Sequence, residues 1–384
     1  MTEAIQDSTR IEWTEDGKSK SAHWHSEAGL TPPSRVVVVD DEIDAGAALR
    51  MASESTALLY RGDFHNARQL LSAMSRRIDG RAARDAETAV AIDAQTFHRY
   101  RMRQAQRARI LGMLLLPFDA GHKIPLRRAP DVSDACNAAW GSSKVPYVAT
   151  LRELQGAIGA YEWRKKGVEV AALEAKIHPH YGVFAPIRSE YVDLVADAQM
   201  PDPLPKVAFD IGTGTGVLAA VLARRGIERV VATDNDPRAL RCARDNINRL
   251  RLASVVTIDD ADLFPESTAD LIVCNPPWLP GKATSTLERA IYDTDQHMLR
   301  GFIGGLGTHL APGGEGWLVM SDLAEHLGLR KREDLLAMFA EAGLVVKDRH
   351  ETKPFHPRAN DRSDTLHAAR SREITSLWRL SNAG

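Results

Sequence analysis

The sequence predicts an α/β protein. An open, mainly parallel sheet is expected over residues 151–384, preceded by a mainly helical domain over 35–150 and a flexible tail over 1–34. Three observations support this. Val207 to Gly216, VAFDIGTGTG, is an apolar run ending in a glycine turn, with Val217 to Arg225 patterned as the helix behind it. Beyond that turn, apolar runs and helical patterns alternate in a regular beat. Upstream, Ala57, Leu58, Phe64, Ala67, Leu70, Leu71 and Met74 recur at the three- and four-residue spacing of a helix face.

Bulk properties exclude several classes. At 384 residues the chain exceeds a single ordinary domain, so two domains or one with a large extension are expected. Its 44% hydrophobic and 26% charged residues suffice for a packed core. A net charge of −2 gives no global signature of a nucleic-acid binder. Cys136, Cys242 and Cys274 stand far apart, which supports neither a zinc site nor a disulfide framework, and no metal is expected. No apolar run reaches the roughly 20 residues that span a bilayer. The polar, acidic N-terminus is unlike a secretory signal, so the expected location is cytoplasmic.

Taken in order, residues 1–34 are rich in Ser, Thr, Glu and Lys and end in Pro32-Pro33, the composition of a loose tail on which Trp13 and Trp24 could dock. Val36 to Val39, followed by Asp40, Asp41 and Glu42, resembles the opening of a receiver domain. The helical pattern that follows contradicts that resemblance and leaves one buried strand or an extended entry segment. A long helix is expected from about Ala82 to Leu114. Residues 61–128 hold 14 Arg and Lys against six Asp and Glu, and Arg99, Arg101, Arg103, Arg107 and Arg109 follow one another without an intervening acid. Such a face suits phosphate contacts to RNA or DNA. It equally suits a solvated helix balancing residues 1–60, which carry 11 acids against five bases. Short helices are expected at 131–140 and 150–163, and a strand at 167–177.

The glycine run alone is a weak signal. Asn275-Pro276-Pro277-Trp278, about 60 residues later, makes it specific. Together these motifs resemble the class I S-adenosylmethionine-dependent methyltransferases, in the N-methylating, small-domain or HemK-like branch that carries (D/N)-P-P-(Y/F/W) after its fourth strand. The dinucleotide fingerprint G-x-G-x-x-G fits less well, because the glycines fall at 212, 214 and 216 and position 217 is Val217. The resemblance covers about half of the chain and implies a Rossmann-like seven-stranded core with S-adenosylmethionine as cofactor. Expected cofactor contacts are Asp210, Gly212, Thr213, Gly214 and Gly216 at the turn, with Asp234 and Asn235 after the second strand. Asp234 suits the two ribose hydroxyls. After the third strand, Asp262 and Leu263 are the expected adenine contacts, with Asp259 and Asp260 as alternatives. Gly182-Val183-Phe184 resembles the stretch preceding the core in this branch, which makes Tyr181 and Phe184 cofactor-pocket walls or ordinary core aromatics.

The same resemblance assigns catalysis to Asn275, Pro276, Pro277 and Trp278. The Asn275 side-chain oxygen and the Pro276 carbonyl would accept hydrogen bonds from a substrate NH2, and Trp278 would stack on the flat group. Methyl transfer then needs positioning more than a strong base. Further elements are expected at 299–310, 316–320, 332–342, 344–349 and 374–380. Between the last two strands, residues 350–373 carry Lys353, His356, Arg358, Arg362, His367, Arg370 and Arg372, a loop suited to a substrate or its phosphates. The readings are a methyltransferase of a nucleic-acid base, its alternative acting on a protein glutamine or small-molecule nitrogen, and a silent S-adenosylmethionine-binding or RNA-binding protein.

Overall fold

The structure, a computed structural model, describes residues 9–86, 93–283, 287–354 and 364–383. The chain divides into two compact units: Met1–Val90 with His98–Glu162, and Ala91–Phe97 with Trp163–Gly384. The divisions at Phe97/His98 and Glu162/Trp163 fall inside helices α3 and α5, introduced below.

The first unit is built on a six-stranded sheet of order β1-β2-β6-β5-β4-β3. Its strands are β1 (Arg10–Glu15), β2 (Lys18–Trp24), β3 (Arg35–Val39), β4 (Thr56–Tyr60), β5 (Leu114–Phe118) and β6 (Tyr147–Thr150). Its helices are α1 (Ala45–Ser53), α2 (Phe64–Ala86), α3 (Ala94–Leu111), α4 (Ser133–Trp140) and α5 (Leu151–Lys166). Successive strand residues point to opposite faces. Leu58 and Tyr60 of β4, Leu114 and Leu116 of β5 and Tyr147 of β6 therefore pack against α1, α2 and α5. Ala57, Leu59, Leu115 and Val148 face the other way, where Ile11 and Trp13 of one edge strand join Val36 and Val38 of the other. The sheet thus curls until its edges share a core, and Arg61 bonds Glu15 through two nitrogens at 3.0 and 2.9 Å.

Two expectations are corrected here. Residues 1–34 are not a tail throughout: Asp16 and Gly17 adopt the positive φ values (52° and 70°) of a hairpin turn, and alternate residues Ile11 and Trp13 are buried. Residues 35–150 are mainly helical, as expected, but they also supply four strands of the sheet. The apolar runs TALLY and LLLPF are short buried strands, which helical periodicity around them concealed. The single long helix over 82–114 is replaced by α2 and α3, with residues 87–92 outside the described set.

The second unit holds a seven-stranded sheet of order β11-β10-β9-β12-β15-β17-β16. A short hairpin of β7 (Val168–Val170) and β8 (Ala175–Ile177) precedes it, where the sequence suggested one strand. Glu174 takes a left-handed backbone there and turns the chain back. Then come α6 (Glu190–Asp197), β9 (Val207–Ile211), α7 (Val217–Arg224), β10 (Arg229–Asp234), α8 (Pro237–Arg249), β11 (Val256–Asp260) and β12 (Ala269–Cys274). The short β13 (Leu279–Pro280) and β14 (Tyr292–Asp293) pair with each other. The chain continues through α9 (His297–His309), β15 (Leu310–Ser321), α10 (Leu323–His326), α11 (Arg332–Glu341), β16 (Leu344–Thr352), α12 (His367–Arg370) and β17 (Thr375–Asn382). Strands β11, β10, β9, β12 and β15 run parallel, whereas β17 is antiparallel to both its neighbours.

Each face of this sheet is covered, as near-continuous apolar strands require. Ala208, Val230, Leu271, Val273, Trp317 and Val319 pack against α6 and α7. Phe209, Ile211, Ile272, Cys274, Leu318 and Met320 pack against α9 and α11. The chain leaves β9 toward β10 and β11 and later returns to β12 on the other side. This reversal of strand order opens a crevice at the carboxyl ends of β9 and β12.

Candidate active site

Strand register brings the motifs to that crevice. Ile211 pairs with Cys274 on one side and with Thr233 on the other. The next residues, Gly212, Asn275 and Asp234, therefore leave the sheet side by side, on strands about 5 Å apart. Asp260 pairs with Asp234, which sets Asp262 and Leu263 just beyond the same edge.

Gly212, Gly214 and Gly216 have φ of 70°, 54° and 81°, conformations glycine adopts without steric cost. Their surroundings differ. A Cβ on Gly216 would stand 3.3 Å from the Ala243 backbone, so this glycine packs α7 against α8. A Cβ on Gly214 would meet nothing within 4 Å, and one on Gly212 would meet only the end of the Met298 side chain.

Asp210 serves the turn from within. It is 1% exposed, and its Oδ2 accepts from Thr213 Oγ1 at 2.6 Å and from the Ala219 N–H at 2.9 Å. Thr213 is buried too, with its N–H on the Thr233 carbonyl. Burial pushes the Asp210 carboxyl up to about 6, against the lowering effect of its hydrogen bonds. A folded pKa above the unfolded value of 3.8 means that its contribution to stability is full below about pH 4 and is lost as pH rises through about 6. Asp210→Asn keeps an acceptor without the charge. It is expected to flatten that fall and to exceed the unaltered protein in stability at pH 7.5 by ~3 kcal/mol. Urea unfolding at pH 4 and pH 7.5 measures this; equal pH dependence in both proteins would refute it.

Asp234 is half-buried. Its Oδ2 accepts from the Gly214 N–H and its Oδ1 from the Asp236 N–H, each at 3.0 Å. A carboxylate has about four lone-pair sites, so each oxygen retains one for a ligand hydroxyl. Asn235 donates to Asp262 Oδ1 at 3.1 Å, and both are exposed. Leu263 has a φ of 74°, uncommon for a branched side chain, and its carbonyl accepts from Thr233 Oγ1 at 2.6 Å. Tyr181 is half-buried with the Arg238 guanidinium 5.6 Å from its ring centre; Phe184 is half-buried as well. Open space at Gly214 and a carboxylate with spare acceptors fit a nucleoside-bearing cofactor.

At the end of β12, Asn275, Pro277 and Trp278 are half-buried and Pro276 is buried. The Trp278 indole N–H donates to Asn275 Oδ1 at 2.9 Å. An indole nitrogen only donates, so this bond fixes which amide atom faces the ring. The carbonyl oxygen keeps a second lone pair.

Sequence reasoning missed the support behind Trp278. The Arg188 guanidinium lies 4.9 Å from its ring centre. Arg188 Nε donates to Glu190 at 2.6 Å and Nη2 to Glu373 at 2.9 Å, both glutamates being buried. Glu373 Oε1 also accepts from Ser321 Oγ at 2.7 Å. Glu373 is 185 residues from Arg188, so no local pattern announced the pair. Arg188→Met would leave two buried carboxylates without their cation and is expected to cost ~3 kcal/mol of stability, with Arg188→Lys recovering part. Chemical denaturation checks this; a loss below ~1 kcal/mol would mean that the pair is solvated in solution.

The basic segments divide. Arg107 bonds Asp79 through Nε at 2.8 Å and Arg109 bonds Ser55 at 2.9 Å, so part of the basic helix has intramolecular partners. In the late loop, Arg370 pairs with Asp364 at 2.8 Å; His356, Arg358 and Arg362 lie outside the described residues. Burial pushes the Cys274 thiol well above its ordinary range, as suits a packing residue. Among the described residues no group of three or more His, Cys, Asp or Glu could hold a metal, and no helix is long and apolar enough to cross a membrane.

Residues 174–350 match the family described as the methyltransferase small domain. The release factor glutamine methyltransferase of Moorella thermoacetica is 30% identical over 45% of this chain and 68% of its own length. A protein of Methanocaldococcus jannaschii described as a protein N5-glutamine methyltransferase is 30% identical over 29% of this chain and 55% of its own. The ribosomal protein L11 methyltransferase of Carboxydothermus hydrogenoformans is 42% identical over 18% of this chain and 24% of its own. The chain thus spans only about half and a quarter of the last two.

Proposed function

The chain belongs to the class I S-adenosylmethionine-dependent methyltransferases of the HemK-like, small-domain branch, and from that premise we propose that it methylates the side-chain amide nitrogen of a glutamine in a protein. The observation that carries this reading is Asn275 at the carboxyl end of β12, its amide fixed by Trp278 with one carbonyl lone pair to spare. A primary amide offers two N–H donors in one plane. Asn275 Oδ1 takes one and the Pro276 carbonyl the other, which holds the amide nitrogen still and turns its lone pair out of conjugation. Trp278, backed by Arg188, is the flat wall against which the planar amide lies.

Bound at the glycine turn, S-adenosylmethionine supplies an electrophilic methyl group. Gly212 and Gly214 would present the backbone to it while Gly216 keeps α7 close to α8, Asp234 would accept from its ribose hydroxyls, and Asp262 with Leu263 would border its adenine. Tyr181 and Phe184 wall the same space. The proton leaving the amide nitrogen needs no strong base, because the nitrogen becomes acidic as the new bond forms; orientation carries most of the rate.

A nucleic-acid base, the reading that the basic residues first suggested, presents the same planar NH2. It is the weaker reading, because Arg107 and Arg109 have partners within the chain and two of the relatives are named for glutamine methylation. The test is transfer of label from S-adenosylmethionine into a fractionated extract. Protease-sensitive label, with a glutamine heavier by one methylene in peptide mass spectra, is the expected result. Label lost to nuclease and resistant to protease would replace the glutamine reading with the base.

A further inference from the structure

Behind the crevice, one buried carboxylate joins elements that the motifs do not name. Asp293 ends β14 and is 7% exposed. Its Oδ1 accepts the Met298 N–H at 3.2 Å and its Oδ2 the Leu299 N–H at 3.0 Å, so it caps the first turn of α9. Gln296, which directly precedes this helix, makes no side-chain cap, although capping ordinarily falls to that position. The main chain of Asp293 has a second attachment. It pairs with Pro280 of β13, and its carbonyl accepts the Gly281 N–H at 3.1 Å. Two residues earlier, the Ile291 carbonyl accepts the Leu279 N–H at 3.0 Å. The segment that leaves Trp278 is thereby fastened to the start of α9.

The two residues that Asp293 holds reach the strand ends in turn. Met298 Cε lies 2.2 Å from the position that a Cβ on Gly212 would take, so it fills the space beside the glycine turn. Leu299, 1% exposed, belongs to the apolar cluster of Ile211 and Cys274, the residues just before Gly212 and Asn275. Between the cap and the helix, Asp295 and Gln296 have φ of 54° and 56°, left-handed values that side chains with a Cβ seldom take. Such backbone persists only where its surroundings over-determine it, and it gathers at ligand clamps.

We propose that Asp293 is a positioning residue for methyl transfer. Through Met298 and Leu299 it sets the glycine turn, and through β13 it sets the exit of Asn275–Trp278, so the two halves of the crevice keep one spacing. This role rests on the crevice being the site of transfer, whether the acceptor is a glutamine or a base.

The full chain is tested with labelled S-adenosylmethionine and the extract fraction that accepts label. Asp293→Asn keeps one acceptor but turns an NH2 against the other N–H. Its single-turnover rate at saturating cofactor is expected to fall about 100-fold, the cost of a displacement of about 1 Å at the reacting atoms. Binding of S-adenosylhomocysteine is expected to stay within about fivefold, which separates positioning from ligand contact. Met298→Ala, which leaves both Asp293 bonds in place, is expected to lose about tenfold in rate, with Met298→Leu recovering part. In the unaltered protein, S-adenosylhomocysteine is expected to slow hydrogen exchange in peptides spanning Met298 and Leu299 about tenfold, and not in Asp293→Asn. A cap with a structural role alone would lower the melting temperature and leave the rate below the transition unchanged; that result overturns the role, as does exchange that ignores the ligand. Should Asp293→Asn fail to fold, the rate of Met298→Ala decides. Should the extract accept no label even from the unaltered protein, the acceptor reading falls and the exchange experiment decides on Asp293.

Discussion

Asn275→Ala is expected to lower kcat/KM for methyl transfer about 1000-fold while S-adenosylmethionine binding stays within about threefold. On the proposed reading Asn275 Oδ1 meets the substrate amide, and removal of one preorganised polar group at a reacting centre typically costs a factor of 100 to 1000. Alanine also frees the Trp278 indole N–H, which bonds that oxygen at 2.9 Å, so the stacking wall loses its anchor. Both effects act on the substrate, and neither touches Asp234 or the glycine turn. Single-turnover kinetics with labelled cofactor, beside calorimetric titration of the cofactor alone, separates the two quantities. A variant that keeps a tenth of the rate would remove Asn275 from the chemistry.

The opposite split is expected at Asp234. Asp234→Ala should weaken S-adenosylmethionine binding about 1000-fold, because two charge-assisted hydrogen bonds to the ribose are worth about 1.5–3 kcal/mol each. The Gly214 and Asp236 N–H groups lose their acceptor in the same step, which loosens the turn. Asp234→Asn, with one acceptor in place of two charged oxygens, should lose about 30-fold. At saturating cofactor the rate should recover in Asn more than in Ala. Binding within threefold of the unaltered protein in the alanine variant would mean that the ribose is held elsewhere. Burial raises the Asp234 pKa from its ordinary value, so affinity should fall as the carboxylate is protonated on the acid side.

The second unit was legible because its chemistry is local. The run VAFDIGTGTG names a strand, a turn and a helix within 18 residues, and Asp236 before Pro237 marks a helix start that the structure caps through the Arg238 N–H. The parallel sheet, seven strands and the sides on which Asp234 and Asn275 emerge follow from that beat. The strands of the first unit were missed for a physical reason. Strands such as β4 and β5 are five residues long and buried on both faces, so they lack the alternation that identifies a strand. The hairpin at Asp16-Gly17 did carry its turn signal, but the polar composition around it obscured the two alternating apolar positions. In the crevice, the motif residues could be named, but their partners could not. Arg188, Glu373 and Ser321 meet only because β15, β17 and the loop before α6 converge, a proximity that no spacing encodes.

The arrangement of the last strands bears on how the chain is synthesised. β16 has no sheet neighbour other than β17 among the described residues, yet the ribosome releases β16 first. Until β17 emerges and slides between β15 and β16, the nascent sheet ends at β15, whose open edge can template pairing with another chain. Closure of the sheet is therefore a late event that waits for Thr375–Asn382. A ribosome stalled before that segment holds a unit with its crevice strands assembled and one unguarded edge, which is a substrate for chaperones.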